Sequence, residues 1–474
     1  MPILAQFHTE NLIKKCFEMM VALFRQNSAP MHGVYSIRNY TSMMESLSDA
    51  VRGLSLQLLR EEIETIDRSF RNRAERTHRY HVKATRERTL VTPLGILTFA
   101  RTIYQDTSTR KCYCHVDRIL GLPRYDRYDP CVKAMIVEAG ATLNSMIKVG
   151  ELIGDRIFSA FSLAEVRKDF RISRQTVHNT MKKAKQCVVP PSPHPTPSHL
   201  YLMADEKFVS LQSRPAKLGR SEKQMVKLIS VFEGIDTSRS RHVLQNKISL
   251  AVSDSYCWDQ VHTILNARYD LDQVKHLHIL GDGAGWILRG VEELKTDKTK
   301  TDFSLDLFHA MQAVHRITRD AALQEVLRSY IYQNARDDFF HVVALVKEDR
   351  SDRRSQIEEQ ENYLAHHWAA LQNSLRPPRI GCAMEGEIAH TLASQFSSVA
   401  KAYSSKHLPI YLNYRLNAIN GLDVRKLYID ALDHIDTDIV EFYPSYDFSI
   451  FELHPTVYEK SSRSRWLKGF ISQQ

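Results

Sequence analysis

The stretch His276-Leu-His-Ile-Leu280-Gly281-Asp282-Gly283-Ala284-Gly285-Trp286 constrains the fold more than any other part of this 474-residue chain. Its first five residues suit a short buried strand, the glycines mark a tight turn, and a helical pattern follows. A strand that turns directly into a helix belongs to a parallel sheet with helical crossovers. Neighbouring segments agree. Tyr201 to Asp205 running into Phe208-Val-Ser-Leu, Met225 to Phe232, and His242 to Val252 each read as strands. Tyr256 to Tyr269 reads as an amphipathic helix, and Phe303 to Phe308 as a further strand entering a helix near His309. Three strands of antiparallel type followed by β-α-β-α give an α/β fold, with Asp205 on the first strand and Asp282 closing the fourth.

Open sheets gather their reactive groups at the carboxyl ends of parallel strands. An aspartate that ends a buried strand between glycines is poorly explained as a solvated charge. The glycines let a ligand approach the backbone, and a carboxylate there is best satisfied by a cation. The same residue also suits an Asx turn. A dinucleotide site is disfavoured, because the third glycine of that fingerprint is misplaced and Asp282 sits where a pyrophosphate should approach.

Upstream, Leu54, Leu58, Leu59, Ile63 and Ile66 carry helical spacing, and the basic stretch Arg71 to Arg88 is expected to follow that helix. A β hairpin comes next, Thr89-Leu-Val-Thr and Gly95 to Tyr104 around Pro93-Leu94. Ser162 to Lys185 has helix-turn-helix spacing: Leu163, Val166 and Phe170 on one amphipathic turn, a break at Ile172-Ser173, then Val177 and Met181 on a second helix that Ser173 can cap. In a DNA-binding version the second helix would offer Arg174, Gln175, His178, Asn179, Lys182 and Lys183 to bases or phosphates. A plain packing hairpin is the alternative. Five prolines between Val188 and Ser198 then predict an extended spacer.

Charge divides along the same line. Residues 1–190 hold 30 Lys and Arg against 19 Asp and Glu, and the remainder 34 against 36. A basic module joined to a near-neutral one suits a protein that grips a polyanion with one part and works with carboxylates in the other. No apolar run approaches the ~20 residues of a membrane span, and the beginning of the sequence lacks the pattern of a secretory signal. Seven scattered cysteines suggest free thiols in a reducing cytoplasm. In the local group Cys112-Tyr-Cys114-His115, no second ligand pair stands at zinc-finger spacing, so buried strand residues are the expectation.

Four motifs carry a resemblance: Met203-Ala-Asp205-Glu-Lys-Phe-Val209, Gly281-Asp-Gly-Ala-Gly-Trp-Ile287, Leu305-Asp-Leu-Phe-His309 and Glu385-Gly-Glu-Ile-Ala-His390. Over nearly its full length the sequence resembles the bacterial insertion-sequence transposases of the ISLre type, related to Mutator-like elements. The resemblance implies a ribonuclease-H-like core with an Asp-Asp-Glu triad of Asp205, Asp282 and Glu385 around two magnesium or manganese ions. Glu387, two residues on, would face elsewhere on a helix. Asp306, His309 and His390 form a second tier, Asp306 as a further ligand or buffer and the two histidines toward phosphate or DNA.

The implied organisation is a helical region over 1–88, a β element with the helix-turn-helix over 89–187, and the proline-rich spacer over 188–199. A catalytic core then spans 200–320 and 379–420, interrupted by an all-helical insertion over 321–378 and followed by an extension over 421–474. Cleavage and strand transfer need an activated water or 3′-hydroxyl, in-line attack and relief of charge on phosphorus. Two hard cations roughly 4 Å apart, held by carboxylates from distant segments, meet all three needs. The implied partners are terminal inverted repeats and target DNA, and a homodimer or larger assembly, in a bacterial cytoplasm. The alternative is a catalytically inactive sequence-specific DNA-binding protein of transposase descent, which has no need of the distal acids.

Overall fold

The computed structural model describes residues 14, 18, 21, 22, 37–123, 125–158, 172–182, 192–211, 223–236, 238, 243–252, 257–376, 380–396 and 403–432. Helix α1 (Ile37–Arg71) lays Leu56, Ile63 and Ile66 on a hairpin of β1 (Tyr80–Thr92) and β2 (Gly95–Asp106), where they meet Leu90, Leu97 and Phe99. The strands pair from Tyr80 opposite Asp106 to Thr92 opposite Gly95, with a bulge between Val82 and Ala84, and β3 (Cys112–Tyr113) adds to β2. Here the sequence reading needs correction, since β1 takes in much of the basic stretch and starts nine residues before Thr89. The alternation Tyr80-His-Val82-Lys-Ala84 is short and runs into the polar Thr85-Arg-Glu-Arg88, and from His81 to Glu87 every residue but Ala84 is exposed, so this half of the strand has little buried face to betray it.

Besides a short helical turn over Ala74–Arg79, the described residues of the N-terminal half form helices α2 (His115–Ile119), α3 (Pro130–Thr142), α4 (Met146–Phe158) and α5 (Arg174–Met181). Asp129 caps α3 by accepting the Val132 N–H at 2.7 Å, and Ser173 caps α5 by accepting the Thr176 N–H at 3.1 Å. Val177 and Met181 of α5 are buried, so the helix is anchored by its apolar side.

The second half is built on one five-stranded mixed sheet. Its members are β4 (His199–Ser210), β5 (Lys223–Phe232), β8 (Ile248–Val252), β9 (His276–Gly281) and β10 (Lys300–Leu305), while β6 (Gly234–Asp236) and β7 (Val243–Gln245) form a side ribbon. The spatial order is β10-β9-β4-β5-β8, and only β5 runs against the others. The strand expected over 242–252 is therefore two, divided where Asn246 takes a left-handed φ of 50°. One face of the sheet, with Leu202, Ala204, Ile229 and Ile279, is buried with α6 (Cys257–Arg268), α7 (Gly285–Glu293) and α8 (Leu307–Ile317).

Residues 321–375 are helical in four pieces: α9 (Ala321–Gln333), α10 (Arg336–Asp349), α11 (Arg354–His366) and α12 (Trp368–Leu375). On α12, Asn373 Nδ2 donates to the Phe303 carbonyl at 3.0 Å and the Ser374 hydroxyl to that of Leu305, which satisfies part of the edge of β10. The chain returns to the sheet through α13 (Met384–Ile388), which lies against β4, and continues as a π-type turn over Ala389–Ala393. Then α14 (Leu408–Ile419) and α15 (Val424–Asp430) pack on α3 of the N-terminal half. Arg425 pairs with Glu138 at 2.6 Å, and Arg415 reaches the Ala141 carbonyl at 3.3 Å. One compact unit extends to Ala431, with no division at the proline-rich spacer. No described helix is long and apolar enough to cross a membrane.

Candidate active site

Parallel pairing of β4 with β9 sets Met203 opposite Leu280, so two residues further on Asp205 and Asp282 come level at the carboxyl edge of the sheet. On the other side of β9, Gly281 stands opposite Leu305, which brings Asp306 level with Asp282, and the Asp306 N–H donates to the Gly281 carbonyl at 2.7 Å. Adjacent strands lie about 4.8 Å apart, so three aspartates share one edge. Close approach here needs Gly281. A Cβ on it would stand 2.9 Å from the Ala204 carbonyl oxygen and 2.8 Å from Ile287 Cδ1.

Local bonds fix each carboxylate. Asp205 Oδ1 accepts the Glu206 N–H at 2.7 Å, and Asp282 Oδ1 accepts the Ala284 N–H at 2.8 Å, closing the glycine turn. Asp306 caps α8 through the Phe308 N–H at 3.0 Å, and its Oδ2 lies 3.1 Å from His309 Nδ1. Burial pushes the Asp205 carboxyl up to about 6; the charges of Asp282 and Glu206 add to the rise, while the Glu206 N–H and His309 oppose it. The bond to Asp306 raises the His309 imidazole above its ordinary value, with Asp282 and Asp205 acting in the same sense against burial. The edge is thus a row of carboxylates with one imidazole beside it whose protonated form they favour.

A second set of residues holds this edge in place. Tyr363 on α11 donates its hydroxyl to the Asp282 carbonyl at 2.7 Å. His367 sits over Gly283, whose φ is +89°, and a Cβ there would meet His367 Nε2 at 2.7 Å. Below, the Trp286 indole donates to the Glu206 carboxylate, joining the motif on β4 to the one after β9. The Cys382 thiol bonds to Asp306 and is pushed far above its ordinary range, by burial first and then by Asp306 and Asp205. Sequence reasoning missed Tyr363, His367 and Cys382. The run His366-His-Trp368 in an otherwise helical stretch, and a cysteine three residues before Glu385, were the available signals.

Other candidates fall elsewhere. Helix α13 begins beside β4, where the Ala383 N–H meets Met203 Sδ at 3.3 Å, but Glu385 in its first turn is exposed. Glu387 is half-buried and pairs with Lys247 at 2.5 Å. The His390 side chain is exposed, and its carbonyl accepts from Arg415 at 2.7 Å. Among the described residues, no hydrogen bond or ion pair joins Glu385 or His390 to the aspartates, and no group of three His, Cys, Asp or Glu side chains stands close enough to hold a metal ion. The structure therefore gathers Asp205, Asp282, Asp306 and His309, and leaves Glu385 and His390 at the surface.

On α5, Arg174, Gln175, Asn179 and Lys182 are exposed. His178 is a correction, because its imidazole is turned inward, 3.0 Å from the Tyr411 hydroxyl and edge-on to His407. Burial, then the charges of His407, Lys182 and Arg174, lower its pKa. Lys183 and the expected first helix, residues 162–170, lie outside the described residues.

Comparison with known proteins gives a single family. A model described as "Uncharacterised protein family (UPF0236)" matches residues 37–431. A UPF0236 protein of Caldanaerobacter subterraneus subsp. tengcongensis is 25% identical over 399 residues, covering 82% of this chain and 80% of that protein, and its name joins eleven locus designations. A second from the same organism is 24% identical over 398 residues with the same coverage. A third is 23% identical over 398 residues, again at 82% and 80%, and its name joins four designations.

Proposed function

This chain belongs to the uncharacterised protein family UPF0236, and from that premise we propose that it is a DNA transposase that cuts and joins the ends of an insertion sequence with divalent cations. The observation that carries the reading is the row of Asp205, Asp282 and Asp306 at the carboxyl edge of adjacent parallel strands. Strand order supports it. Numbered by their appearance in the chain, the sheet strands lie in the order 3-2-1-4-5 with the second reversed, which is the arrangement a ribonuclease-H-like core calls for. A single protein name that spans eleven loci of one genome is also what a copied element leaves behind, and it supports the same reading for this relative of that protein.

The donor set fits a hard cation in its chemistry, since carboxylate oxygens are hard ligands and the buried Asp205 carboxyl, raised further by the charge of Asp282, would be relieved by positive charge. Asp205 and Asp282 would hold magnesium or manganese, two ions in the full site, with Glu385 supplied from α13 and Asp306 in support. Such ions activate the attacking water or 3′-hydroxyl and offset charge on the phosphate when bound. The protein's own part is positional and electrostatic. Tyr363 and His367 hold the Asp282 turn, and His309, made more basic by Asp306, would donate a proton or hydrogen bond to a phosphate oxygen. Helix α5 would read the terminal repeats with Arg174, Gln175, Asn179 and Lys182. Two DNA ends must be held, so a dimer or larger assembly forms part of the proposal.

Asp282→Asn keeps the side chain's size and its acceptor for the Ala284 N–H but removes its charge. It should abolish cleavage and joining by at least about 100-fold, a usual scale for a group acting on the transition state, and leave DNA binding unchanged in a gel-shift assay. Joining at the wild-type rate would sink the proposal. The exposed position of Glu385 favours a second reading, a catalytically silent DNA-binding protein of the same descent. Calorimetry with manganese separates the two: the enzyme should bind it and lose affinity on Glu385→Gln, whereas the silent protein should show no metal heat.

A further inference from the structure

Beside α5 lies a groove of about 430 Å³ lined by Tyr125, Arg127, Tyr128, Thr176, Asn179 and Lys182. We propose that it takes the DNA backbone flanking the bases read by α5, with a phosphate between Arg127 and Lys182 and the adjoining sugar and base edge against Tyr125. The inference rests on the reading of α5 as a DNA-reading helix and extends the contact surface to a loop, residues 125–129, that no helix-turn-helix pattern would include.

Charge points to a polyanion. The acid of the groove, Asp126, is paired with Lys133, and Arg127 and Lys182 are both exposed, so the groove presents net positive charge. Shape and chemistry point to a nucleic acid strand, because Tyr125 is 84% exposed beside Arg127 and offers a flat ring next to a cation. The loop is held ready rather than formed on contact. Arg88 donates to the carbonyls of Pro123 at 2.9 Å and Asp126 at 2.7 Å, and is itself fixed by Asp117 at 2.8 Å. The Val91 N–H donates to the Arg127 carbonyl at 2.8 Å, and the Asp129 N–H to that of Val91 at 3.0 Å. A loop tied down on both sides of its exposed tyrosine and arginine avoids an ordering cost on binding. Asn179 and Lys182 belong both to the exposed face of α5 and to the groove, so the two surfaces are continuous.

The test measures binding of the full-length protein to a mixed-sequence DNA duplex by fluorescence anisotropy across a salt series. One phosphate contact contributes about 0.9 to the slope of log affinity against log salt. Arg127→Ala and Lys182→Ala should each reduce the slope by about that amount. Tyr125→Ala should weaken binding several-fold with the slope unchanged, and Arg328→Ala, on the far helical segment, should alter neither. Tyr125 and Arg127 are exposed, so thermal midpoints should match wild type and exclude misfolding as the cause. Unaltered slopes in both cation variants, with wild type binding normally, would overturn the groove alone. Failure of wild type to bind duplex DNA at any salt would overturn the groove and the transposase reading together.

Discussion

His115 stacks on Phe70 with ring centroids 3.7 Å apart, and its Nδ1 lies 2.9 Å from the Tyr113 hydroxyl. Burial, then the charges of Arg73 and Arg118, lower its pKa to about 4. The unfolded chain therefore binds more protons than the folded one between pH 6.5 and 4, and stability falls as pH drops through that window. The loss is fully felt below pH 4 and absent above the unfolded value. His115→Phe keeps the stack and removes the titration, so its urea midpoint should decline less than that of wild type between pH 7 and 4; parallel declines would refute the assignment. The cysteines grouped with His115 in the sequence part company here, Cys112 exposed and Cys114 half-buried. Asp282 was legible because strand, glycine and aspartate are adjacent in the chain. His178 was not, since helical periodicity gives it an outward face and only α14, 233 residues away, turns that face inward.

Elements that end at the site are held by elements far along the chain. Helix α11 fixes the turn after β9 through Tyr363, whose hydroxyl donates to the Asp282 carbonyl, while His367 closes over Gly283. Losing one such bond costs about 1 kcal/mol, small against the whole fold but concentrated on one turn. Tyr363→Phe should therefore lower the denaturation midpoint only slightly and accelerate amide hydrogen exchange at Gly283 to Gly285 more than in β4 or β9. Equal acceleration throughout the sheet would mean that the hydroxyl supports the core generally and does not position the turn. At this scale the reading succeeded where a signal is local. Strand β9 ends at Gly281 and helix α5 begins after the Ser173 cap, both as their sequences direct. It failed where tertiary surroundings decide: β1 extends through a largely exposed, charge-rich stretch because β2 pairs with it, and the tie of α11 to the site depends on a fold no periodicity encodes.

Across the whole molecule, the charge asymmetry suggests two modules joined by a proline-rich spacer, yet the contacts make one unit up to Ala431. The reason is α14, a wedge between α3 of the basic half and β8 of the sheet. Asn420 Oδ1 accepts the Ser249 N–H at 2.7 Å and its Nδ2 donates to the Ser249 carbonyl at 3.0 Å, while Tyr411 meets His178 on the other side. Tyr411, Leu412, Tyr414 and Leu416, with Val424 and Tyr428 of α15, are all buried. At roughly 1.5–3 kcal/mol for each large side chain, their removal would cost about as much as the 5–15 kcal/mol by which a domain is usually stable. Both halves should then depend on α14, and the intact chain should unfold in one transition. A chain ending after Phe396 should lose exchange protection in α3 and α5 as well as in β8, and with it the DNA-binding surface on α5. Full protection of α3 and α5 in that truncated chain would show that the basic half folds by itself, and that α14 merely rests against it.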